Sequence, residues 1–275
     1  SKDGMIIKYG SSGEVEWAKE IGGTSEDSIR SVSETTDGGY IVGGYFRSSS
    51  IDLGNGISLV NVNSGFDDGM IIKYGSSGEI EWTKEIGGEE LDQIQSVAVT
   101  SDGSYIVVGN YRSSSIDLGN GISLANARSG SNDGMIIKYS SNGKVEWAKG
   151  VGGTNDDVIR SVSETRDGGY ITGGYFRSSI DLGNGISLNN QSASRYESDG
   201  MVIKYGSSGE VEWAKGIGGT SEDNIRSVSE TGDGSYIVGG EFLSSSIDLG
   251  NGESLSRKGH YDGMILKITD QMGVP

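Results

Sequence analysis

At 275 residues the chain can bury a core without disulfides or metals, and its lack of cysteine excludes thiolate metal sites and cysteine nucleophiles. With 22 Lys+Arg against 39 Asp+Glu the formal charge is −17, which excludes the basic surface a nucleic-acid partner needs and disfavours an anionic membrane. Forty-eight glycines and one proline, Pro275, predict many tight turns, and no apolar run reaches the roughly 18 residues of a membrane span.

In chain order, Met5–Tyr9 and Glu14–Lys19 are short β-prone runs joined by Gly10-Ser11-Ser12-Gly13, which reads as a hairpin. An acidic turn follows Gly22-Gly23, then the run Ile29–Thr35, the turn Asp37-Gly38-Gly39 and the run Tyr40–Phe46. Ser50–Leu53 and Ile57–Leu59 bracket Gly54-Asn55-Gly56, a hairpin signal because Asn-Gly supplies two positive-φ positions. No segment keeps a capped 3.6-residue apolar period, so the class predicted is all-β.

This pattern recurs. Asp3-Gly4 returns at Asp68, Asp133, Asp199 and Asp262; Trp17 at Trp82, Trp147 and Trp213; Asn55 at Asn120, Asn184 and Asn251. The step is about 65 residues and divides one repeat domain, 1–275, into repeats 3–67, 68–132, 133–198 and 199–261, with a further strand at 262–269. Short strands in groups of four, joined by glycine turns at a fixed step, predict a β-propeller of four-stranded blades, each with an accessory β-hairpin.

The motifs Asp-Gly-Met-Ile-Ile-Lys-Tyr, Gly-Glu-Val-Glu-Trp-Ala-Lys, Ile-Gly-Gly and Asp-Gly-Gly-Tyr-Ile-Val-Gly-Gly-Tyr resemble the β-propeller repeats of many bacterial secreted and surface-anchored proteins. The resemblance implies an extracellular bacterial setting, a scaffold or adhesive role and no shared catalytic residues. In that family's phase Ile29–Thr35 is the inner strand of a blade and Trp17 lies on an outer one. Ser1-Lys2-Asp3 does not read as a signal peptide, so an export signal is expected outside these residues. The fifth copy, Gly263–Ile268, is expected either to close the ring on the N-terminal outer strand or to be donated to a neighbouring molecule.

The four tryptophans read as inter-blade packing or, alternatively, as sugar-stacking platforms. Asp27, Asp92, Asp157 and Asp223 sit in acidic turns whose oxygen ligands would suit calcium; no other metal or cofactor is expected. Arg30, Arg160 and Arg226 follow three of these aspartates, with Gln95 in the second copy, and suit local ion pairs or strand-end contacts. One histidine, no cysteine and acidic pairs copied in every repeat argue against an enzyme, the weakest reading being a glycan-active one. The copies differ most before each Asp-Gly, so ligand contacts are expected there: Phe66, Arg128, Arg195, Tyr196, Lys258, His260 and Tyr261. The function expected is a non-catalytic extracellular or cell-surface binding and adhesion module with a glycan or surface-protein ligand. The alternative is a structural subunit that self-associates through a terminal strand into a layer or filament.

Overall fold

A computed structural model describes residues 2–192, 194–250 and 252–269. Asn251, the fourth Asn-Gly turn expected from the repeat, lies outside them. Among the described residues all regular elements are strands: the first repeat gives β1 (Gly4–Tyr9), β2 (Val15–Ile21), β3 (Asp27–Glu34), β4 (Tyr40–Phe46), β5 (Ser50–Gly54) and β6 (Ile57–Val60). The second repeat gives β7 (Asp68–Tyr74), β8 (Ile80–Ile86), β9 (Asp92–Val99), β10 (Tyr105–Tyr111), β11 (Ser115–Asp117) and β12 (Ser123–Ala125). The third gives β13 (Asp133–Tyr139), β14 (Val145–Val151), β15 (Asp157–Glu164), β16 (Tyr170–Phe176), β17 (Ile180–Gly183) and β18 (Ile186–Leu188). The last contributes β19 (Asp199–Tyr205), β20 (Val211–Ile217), β21 (Asp223–Glu230), β22 (Tyr236–Phe242), β23 (Ser246–Gly250), β24 (Glu253–Ser256) and β25 (Asp262–Ile268).

Sheets straddle the sequence repeats. Three have four antiparallel strands, in the orders β3-β4-β7-β8, β9-β10-β13-β14 and β15-β16-β19-β20; β21-β22-β25 has three and β1-β2 stands as a pair. The strand carrying Ile29 therefore lies at one edge and that carrying Trp82 at the other, the phase which the family resemblance implied. Each short hairpin, such as β5-β6, forms its own two-stranded sheet. The chain divides into two compact units, 1–130 with 137–148, and 131–136 with 149–275, the boundary crossing β13.

Strand burial follows position in the sheet. In the second repeat β7 and β10 are buried at every residue, as expected of central strands covered on both faces. In β25 only alternate residues are buried, so one face packs while Ile265 is 78% exposed. At the hairpin tips Asn55 (φ 54°) and Gly56 (φ 78°) adopt the two left-handed conformations of a type I′ turn. A second constraint sits beside the β3-β4 bulge, where a Cβ on Gly44 would lie 2.0 Å from the Ser28 carbonyl oxygen.

β3 begins at Asp27, two residues before the expected run, because Asp27 pairs with Phe46 and its carboxylate binds the segment beyond it. Arg30 and Arg160 lie across their sheets over the Tyr45 and Tyr175 rings, at 5.1 and 5.2 Å, and Arg226 bonds Glu241. Their partners are cross-strand neighbours, which local spacing does not reveal.

Candidate functional site

The site is built on two backbone anchors at the base of the variable loops, the asparagine recurring in the first three repeats and replaced by Arg257 in the last. The first is an asparagine just after the short hairpin: Asn61 Nδ2 donates to the Phe46 and Phe66 carbonyls, both at 3.0 Å, and Asn190 Nδ2 to those of Phe176 and Glu197. The second is the Asp-Gly aspartate, whose carboxylate accepts the Val62 N–H at Asp68 and the Gln191 N–H at Asp199, each 2.7 Å. At Asp262 it accepts from Lys258 and Gly259. The loop base is thus fixed by local donors while its tip is free to differ.

The loop exit then bonds the next repeat. Within the first unit Asp92 N–H donates to the Asp67 carbonyl (2.6 Å), and within the second Asp223 N–H donates to that of Ser198 (2.6 Å). This stitching places the acidic turn of one repeat beside the loop of another. Tyr261 Oη donates to Glu222 Oε2 at 3.1 Å, and that bond raises the Tyr261 hydroxyl pKa above its ordinary value.

In the second unit, therefore, the loop exit at Ser198, Glu222 and Tyr261 of the 255–261 loop adjoin. Arg195 lies over the Tyr196 ring at 4.9 Å and donates to its hydroxyl at 2.6 Å, leaving Tyr196 66% exposed. His260 stacks on Tyr261 with ring centroids 5.3 Å apart, and Arg257 holds the His260 carbonyl at 2.9 Å. Lys258 and Tyr261 also line an open cleft of about 450 Å³ with Phe242 and Leu255. Two exposed aromatic faces among cations and carboxylates can stack on a planar or ring-shaped ligand and hydrogen-bond its rim.

Phe66 and Arg128 are exposed in the first unit on separate loops. Asn61, Asn126 and Asn190 were not singled out from the sequence, and Glu222 figured there only as a member of the acidic turn beside Asp223. The asparagines recur right after the hairpins in three copies, a signal that was available; the role of Glu222 at this site shows only through its contact with Tyr261.

The four turn aspartates act as acceptors for the chain's own donors. Asp27 Oδ1 accepts from Arg47 N–H (3.0 Å) and Ser48 N–H (3.1 Å), and Oδ2 from Gly23 N–H (2.9 Å) and the Ser48 hydroxyl (2.6 Å). Asp223 repeats all four bonds. A carboxylate has about four lone-pair sites, so these donors occupy the positions a calcium ion would use. Among the described residues no group of three or more His, Asp or Glu is placed to hold a metal.

The tryptophans pack on tyrosines of adjoining sheets: Trp17 meets Tyr40 edge-on at 5.6 Å, Trp82 meets Tyr105 at 5.8 Å, and Trp213 meets Tyr236 at 5.6 Å. Trp17 and Trp82 also donate to the Ser76 and Ser141 carbonyls. This is packing between sheets, not an open platform.

No protein-family model matches the chain. It is 27% identical over 143 residues to an uncharacterized WD repeat-containing protein, L264, of Acanthamoeba polyphaga mimivirus, covering 49% of this chain and 10% of that protein. Over 111 residues it is 26% identical to the regulatory protein FlaEY of Caulobacter vibrioides, covering 40% of this chain and 12% of that one. The chain thus matches about a tenth of the length of these curated relatives. A crystal structure of a protein of unknown function from Bacteroides caccae aligns with all of this chain and 76% of its own, at TM-score 0.46 and 10% identity.

Proposed function

We propose that the chain is a propeller-type, non-catalytic binding module that works outside the cell or on its surface, adhering through its unequal loops. One observation carries this reading: the aspartates Asp199 and Asp262 anchor loops of different composition, which in the second unit expose Arg195 and Tyr196 on one loop and His260 and Tyr261 on the other, with Tyr261 bonded to Glu222. A uniform frame carrying varied tips is the arrangement of a recognition surface. The repeated four-stranded sheets, and the WD-repeat name of the mimiviral relative, support a propeller of four blades. The saturation of Asp27, Asp92 and Asp223 by four chain donors each supports a scaffold role for these acidic residues rather than acid–base chemistry. A glycan or surface protein is the ligand class that exposed tyrosines with adjacent polar groups suit.

The test is a glycan array, alongside binding to intact cells, with the chain presented multivalently. Tyr196→Ala with Tyr261→Ala should lower binding at least about tenfold while the unfolding free energy moves by no more than about 0.5 kcal/mol, as expected for exposed side chains. Binding that survives both changes would remove this site from the proposal.

A further inference from the structure

In the first unit the loop between β6 and β7 hangs on two carboxyl groups. Asp68 Oδ2 accepts the Val62 N–H at 2.7 Å and Glu85 Oε2 accepts the Val60 N–H at 3.1 Å, so acids hold alternate residues of its first limb. Between them Asn61 Nδ2 ties the Phe46 and Phe66 carbonyls together, and Asn63 Nδ2 donates to the Glu89 carbonyl at 2.8 Å. The side chains so presented are apolar: Val60, Val62 and Phe66 are 56%, 60% and 45% exposed.

The Asp68 anchor is poorly supplied with donors. Its side chain is fully buried, Oδ2 takes the single Val62 N–H, and Oδ1 has no hydrogen-bond partner among the described residues. Oδ1 packs instead on the turn after β8, where a Cβ on Gly87 would lie 2.3 Å from it. Asp92, equally buried, accepts from four donors.

The charges that act on Asp68 share its sign. Asp92 opens β9, Asp67 precedes Asp68 in the chain, and Glu85 of β8 stands opposite Met70, on the Asp68 side of β7. Lys84 stands opposite Ile71 and therefore faces the other side. Arg47, beyond β4, is taken by Asp67 at 2.8 Å, and Arg112, beyond β10, by Glu90 at 2.9 Å. Burial first, then Asp92, Glu85 and Asp67, raise the Asp68 carboxyl to about 7 against the one Val62 donor, and burial raises that of Glu85 as well.

We infer that the 61–66 loop is a pH-operated clasp, closed over a protonated Asp68 and loosened when that carboxyl gives up its proton and draws in water. The closed loop holds the Asp68 proton more tightly than an opened loop, in which water surrounds the carboxylate, so rising pH favours opening. The stabilisation of the closed form is complete below the solvated value of about pH 4 and is lost as pH rises through the folded value of about 7. Across the neutral range Val62 and Phe66 pass from a fixed apolar tip to a mobile one. This device belongs to the first unit and stands or falls apart from the loop site of the second.

Amide exchange in the full chain, labelled with nitrogen-15, tests it. After correction for the intrinsic acceleration with pH, protection at Val62 should fall at least about tenfold between about pH 5.5 and 8.5. Val62 should also exchange faster than Val107, buried in β10, throughout that range. Asp68→Asn keeps an acceptor for the Val62 N–H and cannot titrate, so its Val62 protection should vary less than about twofold. A carbon-13 titration of the Asp68 carboxyl in the unaltered chain keeps the test open should that variant not fold: its midpoint should lie where the fall in Val62 protection levels off. Constant or rising protection at Val62, exchange there no faster than at Val107, the same pH dependence in Asp68→Asn, or a carboxyl midpoint below about 5 would overturn the inference.

Discussion

Asp92 and Asp157 occupy the same position in successive copies, both fully buried, yet their surroundings differ by one residue of chain. In the second copy Tyr111 reaches Ile116 in five steps, and Asp92 accepts from Arg112 N–H (3.0 Å), Ser113 N–H (3.2 Å), the Ser113 hydroxyl (2.6 Å) and Gly88 N–H. In the third, Phe176 reaches Ile180 in four, and Asp157 accepts from Gly153 N–H (2.7 Å) and Arg177 N–H (3.1 Å). Burial raises both carboxyls, and four donors hold Asp92 to about 6 while two leave Asp157 at about 8, with Asp133 and Asp156 pushing it further up. Burial sets the direction of such a shift, and the donor count decides how far it goes.

The largest expected effect is at the four-donor site. Asp92→Asn turns an amide NH₂ toward two hydrogen-bond donors and should cost about 2–5 kcal/mol in urea denaturation, whereas Asp157→Asn turns it toward only one and removes no charge at pH 7, so it should cost less, about 1–2 kcal/mol. Equal losses would break the comparison. Next is pH. Asp157, and Asp68, which burial raises to about 7, hold their protons in the fold more tightly than in the unfolded chain. Their contribution is therefore complete below the unfolded value near pH 4 and is lost as pH rises toward 7–8, with a slope up to about 1.4 kcal/mol per pH unit per group. Denaturation from pH 5 to 8.5 should show that decline, shallower in Asp157→Asn. The smallest effect sharpens the contrast: inserting one serine between Ser178 and Ser179 should lower the Asp157 pKa toward that of Asp92. NMR titration reads the shift, and the insertion should stabilise the chain by about 1 kcal/mol at pH 8.

Much of the fold was legible because clustered apolar runs, Asp-Gly and Asn-Gly turns are local signals. The runs at Tyr40–Phe46 and Ile57–Leu59 matched strands to within a residue at each end. The role of Asp27 was not legible, since its donors Arg47 and Ser48 lie some twenty residues away and come near only when β3 and β4 pair. Arg30 met Tyr45 for the same reason. At the candidate site the difference between copies located the loops, but the meeting of Tyr261 with Glu222 depends on how one repeat abuts the next.

The row of strand lysines has a chemical corollary. Lys73 and Lys204 are sealed between two carboxylates each, while Lys267 stands half in solvent with one. An amine-modifying reagent meets these three ammonium groups in very different states of protection, so labelling rate at Lys267 relative to Lys204 becomes an internal gauge, carried by the protein itself, of whether the strand beside it is present.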